Sequence, residues 1–349
     1  MKKIWRFISY SDEDPYMNLA IEEALTRSIL EFKSPNALRI WQHPPIVSIG
    51  CFQRPEQEIN IEYCKKKGIR IVRRMSAGGA VYQDSGNLNY SLYIDTAKFK
   101  AFKDPVESYE YLCRGLIIAL KSLGVEAEFR PVNDLIVNKR KISGNAQYQL
   151  YNVLLHHGTL LTDLNFDNLE NALIITNEKL KDKDASSVKD RVTTIKRELK
   201  RKIPLYVVKN AVCHGYEEVL GVKFQNSKLS PEELKMARDL YKKYSSPEWI
   251  FGSNLEFEHQ TAYKAPGGLI RIALTLSQNK IKQINISGDF FIKPSEALKA
   301  LEQRLTEVLY TTKNIKQIVD EFYNQNITTP GVTPQDFVVA IMQAKIVSP

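Results

Sequence analysis

Residues 69–95 read IRIVRRMSAGGAVYQDSGNLNYSLYID. A buried-type strand, Ile69–Arg73, carries two arginines straight into a turn of small residues, and two strand-like runs leave it, Ala80–Gln83 and Leu88–Asp95. Small side chains let a ligand approach the backbone, and the N–H groups of such a turn can form an anion-binding concavity. Arg73 and Arg74 add planar, permanently charged donors suited to carboxylate or phosphate. A plain hairpin turn with surface arginines has the same sequence signature, so both readings stay open at this point.

Working outward from this stretch, Ile4–Ile8 reads as a strand and Asp14-Pro15 as an N-cap followed by proline at the first helical position. Met17, Ala20, Ile21, Ala24 and Leu25 recur at helical spacing towards Leu30. Strands are expected at Leu38–Gln42 and Pro45–Ile49, and a helix at Ile59–Lys67. Downstream, Tyr109, Leu112, Cys113, Leu116, Ile117 and Leu120 mark one face of an amphipathic helix that Gly124 stops. Leu135–Val137 and Lys141–Ala146 form a hairpin about Asn138-Lys139-Arg140, and Val153–Leu161 is a further strand. Helices follow from Leu205 and over Pro231–Lys243.

The texture changes at Ser245–Gly252. Beyond it, Leu269–Leu276 and Ile281–Ile286 alternate about Gln278-Asn279, and helices are expected at Ser295–Tyr310, Ile315–Phe322 and Pro334–Met342. The pattern predicts an α/β (α+β) chain: a large α/β domain over 1–249 and a small α+β domain over 253–349.

Composition narrows the function class. The 349 residues are 43% hydrophobic and 26% charged, enough for a sizeable core. No apolar run approaches the ~20 residues that span a bilayer, and the N-terminal MKKIWRFISYSDEDPYMN lacks the features of a signal peptide. A cytoplasmic protein without a membrane partner is expected. The cysteines at 51, 64, 113 and 213 are too far apart for zinc-ligand or thioredoxin-type spacing. Reduced, space-filling roles are expected of them, with a nucleophilic one still open.

The net charge of +9 suits an acidic partner, a polyphosphate ligand or nucleic acid. Basic residues concentrate in EKLKDKDASSVKDRVTTIKRELKRK, 178–202, which reads as a solvated loop-helix segment. It contains no aromatic residue, so the stacking platform of a single-strand binder is missing. No nucleic-acid partner is expected.

Two further stretches carry chemistry. In NDLIVNKRKISGNA, 133–146, Lys141 opens a β-run and is followed by small residues, so its ammonium can point into a cleft. Such a lysine neutralises a carboxylate and an α-phosphate together; a solvated hairpin-tip role fits Lys139 and Arg140 better. Asp134 is a candidate Mg²⁺ ligand on phosphates, or else a turn-stabilising aspartate. In HHGTLL, 156–161, adjacent strand residues face opposite sides, so His156 and His157 do not readily chelate one metal, and a structural role is expected.

Together RRMSAGGAVYQD followed by GNLNYSL, NDLIVNKRKISGNA and HHGTLL resemble the lipoate–protein ligase A family of the biotin/lipoate ligase superfamily. SSVKDRVTTI and SSPEWIFG look like that family's adenylate-covering loop and interdomain junction, so the likeness covers nearly the whole chain. Two positions depart from the family pattern: Ala77 replaces the first glycine of a triplet and Gln83 replaces a histidine. The resemblance implies a biotin/lipoate ligase-like catalytic domain with mixed β-sheets flanked by helices, and a small α+β C-terminal accessory domain. It implies activation of lipoate by ATP, with Mg²⁺, to lipoyl-AMP, and then transfer to a lysine of lipoyl domains in 2-oxoacid dehydrogenase E2 subunits and of the glycine cleavage H protein.

Carried over position by position, Arg74 and Gly78, Gly79, Ala80, Val81 and Tyr82 hold the adenylate. Asn133 and Asp134 lie near the nucleotide, Lys141 contacts acid and α-phosphate, and His157 and Gly158 border the lipoate. A monomer is expected. The nearest rival is an octanoyltransferase of the same fold that acts through a cysteine thioester. Neither 128–133 nor 162–211, where such relatives keep the nucleophile, contains a cysteine, which leaves only Cys51 to test. A biotin ligase would carry a Gly-Arg-Gly-Arg repeat, which is absent here.

Overall fold

The computed structural model describes residues 2–98, 102, 105–174, 188–252, 257–294 and 296–346. The first ten residues of the basic stretch, 178–187, and the expected helix start at Ser295 lie outside them. The chain divides into two compact units. One comprises Met1–Ser48, Ile59–Arg73 and Val81–Ile250; the other comprises Ile49–Glu58, Arg74–Ala80 and Phe251–Pro349.

The strands of the first unit are β1 (Lys3–Ile8), β2 (Ala37–Trp41), β3 (Ile46–Ile49), β4 (Arg70–Arg73), β5 (Val81–Gln83), β6 (Asn87–Asp95), β7 (Glu128–Arg130), β8 (Asp134–Val137), β9 (Arg140–Leu150), β10 (Val153–Leu161) and β11 (Val222–Asn226). Eight of them form one sheet in the order β11-β1-β2-β6-β10-β9-β8-β7, and β4-β3-β5 form a second. β1 runs parallel to β2 and β11, whereas β2–β6, β6–β10, β10–β9, β9–β8 and β8–β7 pair antiparallel. The large sheet is therefore mixed, as the family resemblance implies.

The helices of this unit are α1 (Pro15–Glu31), α2 (Ile61–Lys67), α3 (Pro105–Ser122), α4 (Phe166–Ala172), α5 (Leu205–Leu220) and α6 (Pro231–Tyr244). Their ends follow local chemistry. The Asp14 side chain accepts from Tyr16 N at the start of α1, and Ser230 and Glu233 form a reciprocal capping box on α6. Helices α3 and α5 cover one face of the large sheet. Leu112, Leu116, Val212 and Tyr216 join Leu38, Leu88, Leu92, Leu154 and Leu160 in one core.

Helix α1 covers part of the other face with polar groups. Glu22 accepts from Ser91 Oγ on β6 at 2.6 Å, and Glu23 accepts from Tyr244 OH of α6 at 2.7 Å. Burying such acids is tolerable only because each is multiply hydrogen-bonded.

The second unit carries β12 (His259–Ala265), β13 (Gly268–Ser277), β14 (Lys280–Gly288) and β15 (Lys345–Ile346), in the antiparallel order β14-β13-β12-β15. Helices α7 (Ala297–Leu305), α8 (Thr312–Tyr323) and α9 (Pro334–Met342) close its core around Phe290, Phe322 and Phe337. The segment Ile49–Glu58 is built into this unit: Gly288 N donates to Phe52 O at 3.1 Å, the rings of Phe52 and Phe290 stack, and Arg271 pairs with Glu58 at 3.2 Å.

Strands β7, β11 and β12 escape a reading by hydrophobic alternation. β11 exposes most of its side chains, β12 buries only Ala265, and β7 has only three residues. Their pairing comes from a neighbour's ladder, which local composition does not encode. β9 likewise runs to Leu150, four residues past Ala146, because β10 supplies partners for Gln147–Leu150.

Candidate active site

Lys141 owes its position to the hairpin that precedes it. Asn138 and Lys139 both take positive φ, 48° and 66°, as a two-residue turn between right-twisted strands requires. Asp134 pairs with Gly144 and Leu135 with Ser143, but Ile136 then pairs with Lys141, so Ile142 is an extra residue in β9. A strand reverses its side chains at every residue, and one inserted residue restores the previous face. The bulge thus turns Lys141 to the face of Asp134 and Gly144, while Ile142 stays in the core.

On that face Lys141 Nζ lies 2.7 Å from Asp134 Oδ1, and Arg130 Nη2 lies 3.0 Å from Asp134 Oδ2. Burial alone would raise the Asp134 carboxyl, but Lys141 and then Arg130 outweigh it and hold the group below its ordinary value. Gly144 supplies the clearance: a Cβ there would stand 2.5 Å from both Cε and Nζ of Lys141. The result is an ammonium on a strand ladder, with 36% of its side chain exposed, over a backbone without a side chain.

Neighbouring groups lock this hairpin. Asn145 N and Nδ2 donate to Asn133 O at 3.0 and 2.8 Å, and Asn133 Nδ2 returns a bond to Asn145 O. Thr193 N donates to Lys141 O at 2.9 Å, and Arg140 pairs with Glu198 at 2.8 Å. Asn133 and Asp134 are therefore brought together with Lys141 as the sequence predicts. Arg130, Gly144 and Thr193 are members that sequence reading does not reveal. Only tertiary contact distinguishes them from other arginines, glycines and threonines.

The two histidines of β10 face opposite sides. His156 is wholly buried against Gln147, whose Nε2 lies 3.1 Å from Nδ1, and Tyr90, and burial pushes its pKa down to about 3. His157 Nδ1 lies 2.8 Å from Glu22 Oε1. Burial would raise the Glu22 carboxyl, yet His157 and Ser91 hold it below its ordinary value. Gly158 packs where a Cβ would collide with the Asn145 amide oxygen and the Tyr90 hydroxyl, which hydrogen-bond to each other.

The two arginines of the opening stretch part company. Arg73 belongs to the first unit, where its Nε donates to Trp249 O and its Nη2 to Ile250 O, both at 2.7 Å, while Trp249 Nε1 donates back to Arg73 O. It ties down the short helix Pro247–Phe251. Tyr82, in the same unit, is buried, hydrogen-bonded to Asp84 and Asn168, and pushed up to about 12 by burial. It lines a cleft of about 930 Å³ together with Asp84, Asn165, Asn168, Lys196 and Lys202, which does not include Lys141.

Arg74 belongs to the second unit and organises the glycine turn. Its Nη2 donates to Ala77 O and Gly79 O, each at 2.9 Å, and its Nε to Ser76 Oγ at 3.2 Å. The positive φ of the turn, 100°, falls on Gly78, and Ala77 is not among the positive-φ residues. Alanine at 77 is therefore compatible with the turn. Gly79 lies beside Asp289.

Burial holds three of the four thiols protonated. Cys64 and Cys113 are buried, burial raises Cys113 strongly and Cys64 to about 11, and Cys213 is pushed up to about 12. Cys51 is half-buried in the second unit, its N–H donating to Ser76 O at 3.0 Å. Among the described residues no group of three or more His, Cys, Asp or Glu side chains is placed to hold a metal. No helix among them is long and apolar enough to cross a membrane.

The chain was compared with known proteins. The lipoyl protein ligase A/B catalytic domain pattern matches residues 14–217, and the bacterial lipoate protein ligase C-terminus pattern matches 254–341. Lipoate–protein ligase 1 of Staphylococcus aureus is 31% identical over 326 residues, covering 91% of this chain and 94% of that protein. Octanoyltransferase LipM of Staphylococcus epidermidis is 30% identical over 275 residues, covering 72% and 99%. Among solved structures, an archaeal bipartite lipoate protein ligase from Thermoplasma acidophilum, described with its E2 lipoyl domain, aligns with a TM-score of 0.65 and 30% identity over 73% of this chain and 98% of that one. A lipoate-protein ligase A bound with ATP aligns at 0.63 and 28% over 72% and 99%. With the catalytic pattern spanning more than half of its length and a relative matched nearly end to end, the chain belongs to the lipoyl protein ligase A/B family, in the form that carries the bacterial lipoate protein ligase C-terminus.

Proposed function

We propose that the chain is an ATP-dependent lipoate–protein ligase with a catalytic domain over 1–249 and an accessory domain over 253–349. The observation that carries this reading is the Lys141 ammonium on a rigid strand, cleared by Gly144 and flanked by Asp134 and Arg130. A fixed cation at that place lowers repulsion between a carboxylate and an α-phosphate and orients one for attack on the other. A lipoate oxygen attacks the α-phosphorus, the bond to the β-phosphate oxygen breaks, and pyrophosphate leaves. An acceptor lysine amine then attacks the acyl carbon, loses a proton, and displaces AMP.

Arg74 and the Gly78, Gly79, Ala80, Val81 and Tyr82 backbone are assigned to the adenylate, Asn133 and Asp134 to the nucleotide, and His157 and Gly158 to the border of the lipoate. Asp134 is the carboxylate assigned to Mg²⁺ in this reading, since a metal carried on phosphates takes only one or two protein carboxylates; its oxygens face Lys141 and Arg130, so Mg²⁺ would have to share it with them. Mg²⁺ would supply neutralisation of phosphate charge. The acceptors in this reading are lipoyl domains of E2 subunits and the glycine cleavage H protein, and the compartment is the cytoplasm. The relatives described with ATP and with an E2 lipoyl domain support the nucleotide and the first acceptor.

The test is direct: incubate the protein with ATP, Mg²⁺, lipoate and a lipoyl domain, then weigh the acceptor. A lipoyl mass gain that requires ATP is expected. Acyl transfer from an octanoyl thioester without ATP would instead favour the transferase chemistry named by the similar octanoyltransferase.

A further inference from the structure

We infer that the run Lys196–Lys202, with the cleft beside it, is the docking surface for the acceptor, a small acidic protein domain that presents its lysine. This rests on the ligase reading and adds the surface that recognises the partner. The segment KRELKRK holds five cations and one acid. The acid is withdrawn: Glu198 is turned inward to Arg140 at 2.8 Å and to the Thr193 hydroxyl. Lys196 pairs with Asp163 and Arg197 bonds backbone carbonyls. Lys200, Arg201 and Lys202 are exposed and, among the described residues, have neither an ion pair nor a hydrogen-bond partner. Exposed like charges in succession repel one another and gain most when an acidic surface meets them.

Two observations select a protein partner. First, the patch borders the cleft of about 930 Å³, whose wall here is Ile203, Pro204 and Leu205, with Tyr206 67% exposed just beyond. An apolar stretch with one exposed tyrosine beside a cationic rim and polar walls is the make-up of a protein interface. A single-stranded nucleic acid would instead call for successive aromatic platforms. Second, the stretch just before the segment is tied to the reacting lysine: Val192 bridges Lys141, and Thr193 N donates to Lys141 O at 2.9 Å. A partner seated on Lys200–Lys202 is thus anchored on the chain that continues from that tie.

The test is the full-length triple variant Lys200→Glu, Arg201→Glu, Lys202→Glu, with the glutamine triple as a control for fold. Pyrophosphate release from ATP and lipoate without acceptor should match wild type in both. For a lipoyl domain, kcat/KM should fall about tenfold or more in the glutamate triple at low salt and less in the glutamine triple. The gap should close as salt screens the charges. Transfer to a small neutral amine should be unchanged.

Normal acceptor kinetics in the glutamate triple overturns the proposal. So does loss of adenylate formation in both triples, which would make the segment part of the activation machinery. RNA binding that the variant loses while acceptor kinetics persist also overturns it. Failure of the wild-type protein to release pyrophosphate is a separate outcome that overturns the ligase reading itself.

Discussion

The Lys141 hairpin and the Arg74 turn both set cations among small residues, but they are built in opposite ways. In the hairpin the backbone positions a side chain: a strand ladder and one inserted residue aim Lys141, and Asp134 and Arg130 set its electrostatic surroundings. In the turn a side chain positions the backbone: the Arg74 guanidinium draws the carbonyls of Ala77 and Gly79 together and leaves Gly78 at a φ of 100°. The first arrangement presents one charge with a defined direction. The second shapes a run of peptide groups. Changes in the hairpin should therefore reach the chemical step, and changes in the turn should reach affinity.

The largest effect is expected from Lys141→Ala, which should slow lipoyl-AMP formation at least about 100-fold in single-turnover pyrophosphate release. The unfolding midpoint should fall only modestly, because Asp134 loses Lys141 but keeps Arg130 as a partner. A rate close to wild type would break the comparison at its first limb. Arg74→Lys keeps the charge but loses the planar guanidinium that bonds two carbonyls through Nη2 and Ser76 through Nε, so KM for ATP should rise roughly 30-fold with a smaller change in kcat. If kcat carried the loss instead, the turn would be acting on the reaction rather than on binding.

Gly144→Ala sharpens the hairpin limb, since its Cβ would stand 2.5 Å from Lys141 Cε and Nζ. A lysine end yields easily, so stability should hardly change, while misaiming the ammonium should cost about tenfold in kcat. Glu22→Gln separates a structural acid from a reactive one. The Glu22 carboxyl lies below its ordinary 4.5, held there against burial by His157 and Ser91. Its stabilisation is therefore complete above that value and is lost as pH falls through the lower folded value. Wild type should exceed the variant by about 2 kcal/mol near neutrality, and denaturant titrations at successively lower pH should show the difference shrinking. Cys51→Ala should leave ATP-dependent lipoylation unchanged; loss of transfer with adenylate formation intact would revive a thioester route.

Much of the fold is legible along the chain because its signals are local. Asp14-Pro15 starts a helix where expected, Gly124 at a φ of 88° ends one, and Pro334–Met342 is a helix to the residue. Apolar strand runs, such as Val153–Leu161, are equally plain. Exposed strands such as Val222–Asn226 are not, since their order comes from a paired neighbour. At the site, the motifs name Lys141, Asp134, Asn133 and the glycine turn. They do not indicate that Arg130 shares Asp134, nor that Arg73 leaves its neighbour to bind Trp249 and Ile250.

By itself, then, the sequence determined the element types, the motif order and the kinds of group available for chemistry, because caps, periodicity and turn residues act over a few neighbours. The tertiary structure alone decided which face those groups occupy. Regular alternation from Gly144 would put Lys141 on the opposite face, and the extra residue at Ile142 reverses it. A bulge is a property of two strands in register, and so no single stretch of sequence contains it.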